Sequence, residues 1–184
     1  VLIGFCGAGG TGKTVTSNEI IKSRPDFTFH GSVTRSVYAK YGYTEATIGQ
    51  MSTDEKFSLQ MSIIAAKYTL DESIKDTNAI VDRTPVDALV YTMLYSPTVS
   101  RAKLLELERL VVEQLKFYDL VVYFPIGDWV TPDDGFRNQD EATRRLVDAA
   151  ALGLLEKFHK GKYIKVDKNS TPEQRAELVL STIA

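Results

Sequence analysis

The sequence predicts an α/β domain: a doubly wound, five-stranded parallel sheet with helices on both faces and a short lid. Three observations predict it. Short apolar runs alternate with longer helical patterns, which is how a parallel sheet with crossover helices is written. The first apolar run leads at once into a glycine-rich turn and a helix. No repeat, low-complexity tract or Gly/Ser linker divides the 184 residues. One domain over residues 1–184 is therefore expected, with the lid at 126–145 and ligands at the carboxyl ends of the strands.

The elements follow in order. Val1-Leu2-Ile3-Gly4-Phe5-Cys6 reads as a buried strand. A helix runs from Lys13 to Ser23 and stops before Pro25, since the residue ahead of a proline is pushed out of the helical region. Phe27-Thr28-Phe29-His30 is a weaker strand. Ser52 and Glu55 form a capping box for a long helix, with Phe57, Met61, Ile64, Ala65 and Tyr68 expected on its buried face. Ala79-Ile80-Val81-Asp82 is a short buried strand that ends in a carboxylate. Helices from Val86 and from Arg101 to Phe117 come next, the second with Leu104, Leu107 and Val111 inward.

Leu120-Val121-Val122-Tyr123-Phe124 is the clearest strand, rich in β-branched and aromatic residues. Pro125 to Gln139 reads as a loop, and Asn138 with Glu141 is the expected cap of the helix beyond it. Tyr163-Ile164-Lys165-Val166 is the last strand. Thr171-Pro172 opens the final helix, with Ala176, Val179, Leu180 and Ile183 inward.

Composition narrows the class without naming the chemistry. The chain is 43% hydrophobic and 25% charged, and its net charge of −2 argues against a dedicated nucleic-acid coat. One cysteine cannot close an intramolecular disulfide. No apolar run reaches the ~18 residues of a membrane span, and no leader pattern opens the chain. A soluble, cytoplasmic protein is expected.

Gly7-Ala8-Gly9-Gly10-Thr11-Gly12-Lys13-Thr14 fits G-x-x-x-x-G-K-[ST] without a mismatch, between a predicted strand and a predicted helix. Glycines let backbone N–H groups close on phosphate oxygens, and the helix behind them adds its positive dipole end. Lys13 can reach the β- and γ-phosphates of ATP, and the Thr14 hydroxyl can ligand Mg²⁺. The cofactor-binding set is thus Gly7, Gly9, Gly10, Thr11, Gly12, Lys13 and Thr14, with Arg144 added from the lid side.

The loop alone does not separate a kinase from a GTPase or a mechanical ATPase. No N-K-x-D base-reading motif is present, and there is little room for a sensor apparatus. Asp82-Arg83, at the end of a central strand, fits a small kinase. The carboxylate could take the proton of an attacking hydroxyl or hold a Mg²⁺-bound water, and Arg83 could hold a phosphate. A lid needs positive charge over the triphosphate. Arg137 is the first candidate and Arg144 the second, because adjacent Arg144 and Arg145 cannot both face the site at ~100° per residue.

The remaining chemistry-bearing residues read as structural. Cys6 is expected buried, His30 and His159 lack metal-ligand spacing, and Trp129 is expected to pack. Gln60 could reach a base edge but is expected to be solvated or locally bonded. The run from Lys157 to Lys165 could track a nucleic-acid backbone, though a solvated helix end is the simpler reading.

With these residues in place, the chain resembles the P-loop kinase family that includes nicotinamide riboside kinase domains and phage-encoded nucleotide kinase-like proteins. The resemblance lies in the Gly7–Thr14 loop, the Thr34-Arg35 segment, the block from Asp82-Arg83-Thr84-Pro85 through Asp87 to Tyr91, and Tyr118-Asp119 running to Asp134-Gly135-Phe136-Arg137. It implies a sheet of the P-loop nucleoside and nucleotide kinase type, ATP and Mg²⁺, and transfer to a nucleoside- or nucleotide-type acceptor. It also implies a substrate pocket of Arg35, Asp82, Arg83 and Asp87. Two other readings stand beside it: a kinase acting on a hydroxymethyl-pyrimidine within DNA, and a nucleotide-binding regulator with no phosphoacceptor.

Overall fold

The computed structural model describes residues 1–127 and 140–184. Five strands, β1 (Leu2–Cys6), β2 (Thr28–His30), β3 (Ala79–Asp82), β4 (Leu120–Tyr123) and β5 (Tyr163–Lys165), form one sheet in the order β2-β3-β1-β4-β5. Every pairing is parallel. Eight helices are described: α1 (Lys13–Ser23), α2 (Val33–Tyr41), α3 (Glu45–Gln50), α4 (Thr53–Ile74), α5 (Pro85–Tyr95), α6 (Arg101–Leu115), α7 (Glu141–Phe158) and α8 (Pro172–Thr182). None of the described helices is long and apolar enough to cross a membrane.

Alternation along the central strands divides the core in two. Leu2 and Cys6 of β1, with Val81 and Val121, face the layer built by α4 to α7. Ile3 and Phe5, with Ile80 and Val122, face α1 and α8 through Ile20, Ala176 and Val179. Both faces are covered, which is why β3 and β4 read as continuous apolar runs. The doubly wound sheet is as the sequence predicts.

The differences have local causes. Helices α2 and α3 lie in a stretch where no strong apolar period marks them; α2 buries only Val37, against Leu59 and Ile63 of α4. The buried face of α4 is turned from the expected one. Phe57, Met61 and Ile64 do pack inward, but Ala65 and Tyr68 are exposed, and the buried set includes Gln60, Lys67 and Asp71. A helix that buries polar residues cannot be phased by hydrophobicity alone. The cap of α7 is Asp140, whose carboxylate accepts from the Thr143 N–H at 2.9 Å, and not Asn138, which lies outside the described residues.

Candidate functional site

β1 lies at the centre of the sheet, between β3 and β4, and its carboxyl end opens into the glycine-rich loop. Gly7 (φ +126°) and Gly12 (φ +90°) adopt backbone that side chains rarely accept, and a Cβ on Gly7 would meet the Phe124 carbonyl at 2.3 Å. The Lys13 ammonium sits within the loop, donating to the Gly7 and Ala8 carbonyls at 3.1 and 2.7 Å. Burial lowers the Lys13 pKa to about 8; Arg83 adds to the fall, and Asp82 and Asp87 partly offset it. From behind, the buried Arg175 of α8 donates to the Thr11 carbonyl at 3.0 Å and the Lys168 carbonyl at 3.0 Å. No pattern in the sequence marks Arg175 as a loop support, because the Thr11 carbonyl it holds lies 164 positions away.

β3 delivers the second half of the site. Its register sets Asp82 opposite Phe5, so Asp82 and Arg83 emerge beside the loop. Arg83 is the one described non-glycine residue with positive φ, at +76°. Its N–H donates to the Phe5 carbonyl at 2.9 Å, and its Nη1 donates to the Gly7 carbonyl at 2.6 Å and to Asp87 Oδ1 at 3.2 Å. A left-handed arginine so constrained is stored strain of the kind that gathers at functional sites.

Asp87, only 1% exposed, completes the joint. Oδ1 accepts from the Gly7 N–H at 3.0 Å; Oδ2 accepts from the N–H and hydroxyl of Thr84 at 2.7 and 2.9 Å, closing the capping box of α5. Burial works against its charge, but Arg83, Lys13 and the Thr84 and Gly7 N–H groups outweigh it, so its pKa lies below the usual carboxylate value. Both oxygens are thus committed to the protein. Asp82 is the contrast: its buried Oδ1 has no hydrogen-bond partner among the described residues.

These residues open on one cavity of about 400 Å³. The loop from Ala8 to Val15, Arg35, Asp82, Arg83, Asp87 and Arg144 all line it, so the sequence-predicted site residues within the described part converge there except Gly7, which lies behind at the start of the loop. Arg144 Nη2 points to the Gly9 carbonyl at 3.4 Å and Nη1 pairs with Glu141, while Arg145 is exposed and pairs with the same Glu141. Arg137, Trp129, Asp133 and Asp134 lie outside the described residues. Cys6 is fully buried, and burial pushes its thiol pKa up. Lys157 pairs with Glu108 at 3.0 Å, which neutralises one end of the lysine run.

Three further sets line the cavity, and of these the sequence offers only Gln60 as a possible site residue. Tyr38, Tyr91 and Tyr95 come from α2 and α5. Gln60, Ile63 and Lys67 come from one stripe of α4, spaced so that they share a face. Thr143 and Val147 come from α7. Gln60 is 4% exposed, which removes the solvated one of the readings the sequence offers for it. The i, i+3, i+7 spacing on α4 was the available signal, but it mixes polar and apolar types.

Comparison with known proteins bears on the fold and family. The AAA domain family model matches residues 2–175. No curated protein matches the sequence. Among solved structures, the NadR protein in complex with NR is similar at a TM-score of 0.70 and 18% identity, over 98% of this chain and 50% of that one. The chain thus spans about half the length of NadR. Thymidylate kinase from Candida albicans is similar at 0.71 and 16% identity, over 99% of this chain and 90% of that one. Deoxyadenosine kinase from M. mycoides with bound dATP is similar at 0.69 and 18%, over 100% and 99%. The fold is that of the P-loop nucleoside and nucleotide kinases.

Proposed function

This chain belongs to the AAA domain family, and from that premise we propose that it is an ATP-dependent kinase that transfers the γ-phosphoryl group to a nucleoside- or nucleotide-type acceptor. One observation carries the reading. The phosphate loop and the Asp82 carboxylate, whose buried Oδ1 has no hydrogen-bond partner among the described residues, open on the same cavity, which is what phosphoryl transfer between two bound molecules needs. Thymidylate and deoxyadenosine kinases share the fold, which supports the class of acceptor.

In this reading the Gly7–Thr14 N–H groups and Lys13 hold the triphosphate, and Arg144 approaches the same loop. Asp82 orients the acceptor hydroxyl and takes its proton. A bond forms from that oxygen to the γ-phosphorus while the bond to the β–γ bridging oxygen breaks, leaving ADP. Arg83 and Arg35 steady the acceptor. Asp87 does not touch the reacting atoms; it fixes Gly7 and Arg83. The Thr14 hydroxyl and the Asp82 carboxylate are hard oxygen donors that suit Mg²⁺, which would neutralise phosphate charge there. Such a reaction draws on cytoplasmic ATP.

The test is transfer from γ-labelled ATP to a panel of nucleosides, nucleoside monophosphates, nicotinamide riboside and hydroxymethylated duplex DNA. Label in a free nucleoside or nucleotide is expected. Label in DNA alone would move the assignment to a base-modifying kinase, against which the Lys157–Glu108 pair speaks. Label only in inorganic phosphate would reject the kinase in favour of a regulator.

A further inference from the structure

We propose that Arg175 is a positioning residue for the phosphate loop: its guanidinium holds the Thr11–Gly12 peptide plane from behind and so aims the Gly12 N–H at the triphosphate. The inference rests on the ATP half of the kinase reading and does not depend on the acceptor.

The guanidinium joins two segments that lie far apart in the chain. Nη1 donates to the Thr11 carbonyl at 3.0 Å, while Nη2 and Nε donate to the Lys168 carbonyl and the Ser170 hydroxyl at 3.0 and 3.1 Å. The turn after β5 is itself braced. The Ser170 hydroxyl donates to the Asp167 carbonyl at 2.6 Å, and the Asn169 N–H donates to Asp167 Oδ1 at 2.8 Å. The stem of the arginine is anchored as well, since α8 opens with a Thr171–Gln174 capping box and packs on α1 through Ala176, Val179 and Ile20. A planar fork on such a footing fixes a carbonyl in direction as well as distance, which a single flexible ammonium does not.

Thr11 is held at its side chain too. It is 1% exposed, and its hydroxyl donates to the Ala8 carbonyl at 3.1 Å and accepts from Lys13 at 3.3 Å. Across a trans peptide the C=O and the N–H point in opposite directions. With the Thr11 carbonyl turned back to Arg175, the Gly12 N–H therefore points forward, toward the cavity that Thr11 and Gly12 line. A donor fixed beforehand needs no reorientation when the anion arrives.

Gly12 shows how closely the two fit. A Cβ there would lie 2.6 Å from Arg175 Nη1, so the guanidinium fills the space a side chain would take. Its positive charge, directly behind the loop, adds to the attraction for phosphate oxygens in front. A buried arginine that merely fastened α8 to the sheet would stabilise the fold and leave phosphate affinity alone.

The test is calorimetric titration with ATP and with tripolyphosphate, alongside thermal unfolding, of wild type, Arg175→Met, Arg175→Lys and Val179→Ala. Tripolyphosphate has no base, so it reports on the loop alone. Val179 is fully buried in α8 and does not line the cavity, so its truncation loosens the same helix without touching the loop. Arg175→Met is expected to weaken both ligands by a similar factor, about ten- to a hundredfold. Arg175→Lys keeps the charge and loses the fork, so it is expected to recover only part of the loss. Val179→Ala is expected to melt earlier yet bind both ligands as wild type does.

Wild-type affinity in Arg175→Met overturns the proposal, and so does an equal loss in Val179→Ala. A loss for ATP without one for tripolyphosphate also overturns it, because the effect would then act elsewhere than on the loop. Full recovery in Arg175→Lys overturns the role of the fork. Should Arg175→Met fail to fold, Arg175→Lys carries the same comparison. No ATP binding by wild type would sink both this proposal and the kinase reading, whereas ATP binding without transfer rejects the kinase alone and leaves the Arg175 comparison decisive.

Discussion

Two ion pairs with buried carboxylates share one spacing and do different work. Lys67–Asp71 at 2.5 Å and Arg83–Asp87 at 3.2 Å each place a cation four residues before a carboxylate that is at most 1% exposed. The remaining partners differ. Asp71 Oδ2 accepts from the Tyr118 hydroxyl and from Gln114 Nε2, at 2.7 Å for the latter, so every contact is with a side chain of a neighbouring element. Asp87 accepts from backbone N–H groups of Gly7 and Thr84. The first pair joins α4 to α6 and to the turn before β4; the second fastens the phosphate loop. A buried pair is therefore weak evidence for function until its third and fourth partners are known.

The largest expected effect is at Asp87. Asp87→Asn leaves the partly buried Arg83 without its counter-charge and cannot accept from Gly7, Thr84 and Arg83 together. Stability is expected to fall by about 3–5 kcal/mol in urea unfolding. Transfer is expected to fall about a hundredfold or more, with weaker ATP binding, because the loop is no longer held in register. Asp71→Asn is expected to cost a similar 3 kcal/mol or so in unfolding, since Lys67 is left without its carboxylate. Its ATP dissociation constant should nevertheless match wild type. Equal loss of ATP affinity in the two variants would erase the distinction between the pairs.

How much of this was readable beforehand follows the same division. The loop and Asp82-Arg83 are local in sequence, and local chemistry is legible: glycines for the turn, lysine for phosphate, a carboxylate at a strand end. Asp87 was legible as a site residue, but its role as a loop fastener depends on Gly7, eighty positions away. Lys67–Asp71 was hidden, because an apolar-stripe reading of α4 assigns Ala65 and Tyr68 inward, where the structure buries Lys67 and Asp71 against Tyr118. The burial of Gln60 is hidden for the same reason.

Gly4 offers a smaller perturbation that touches both pairs at once. It shares the face of β1 with Leu2 and Cys6, and a Cβ there would lie 2.6 Å from the Tyr118 ring and 2.8 Å from the Thr84 methyl. The Tyr118 hydroxyl is tied to Lys67 and Asp71, and Thr84 to Asp87, so neither neighbour can retreat freely. Gly4→Ala is expected to cost about 1–3 kcal/mol of overpacking strain in thermal or urea unfolding. A double-mutant cycle with Tyr118→Phe then shows which side yields. Coupling with Tyr118 and wild-type ATP affinity place the strain on the structural pair; lost ATP affinity places it on the loop.

The finest test is electrical. The Lys13 pKa, lowered to about 8, is set by burial first and Arg83 next, with Asp82 and Asp87 pulling it back; Lys67 and Asp71 are not among its main causes. Between about pH 8 and the unfolded value near 10.5, the unfolded chain keeps a proton that the folded chain has lost, so without ATP this group makes stability rise with pH across that window. ATP has the opposite dependence, because its phosphates need the charged ammonium. Its affinity, followed calorimetrically from about pH 7 to pH 10, is expected to fall above pH 8 by at most about tenfold per pH unit. In Asp87→Asn that fall should begin at lower pH, since one of the two carboxylates holding the proton is gone; in Asp71→Asn it should begin where wild type does. Coincident shifts in both variants would mean that the two pairs, separate in their hydrogen bonds, act on the loop as one charge.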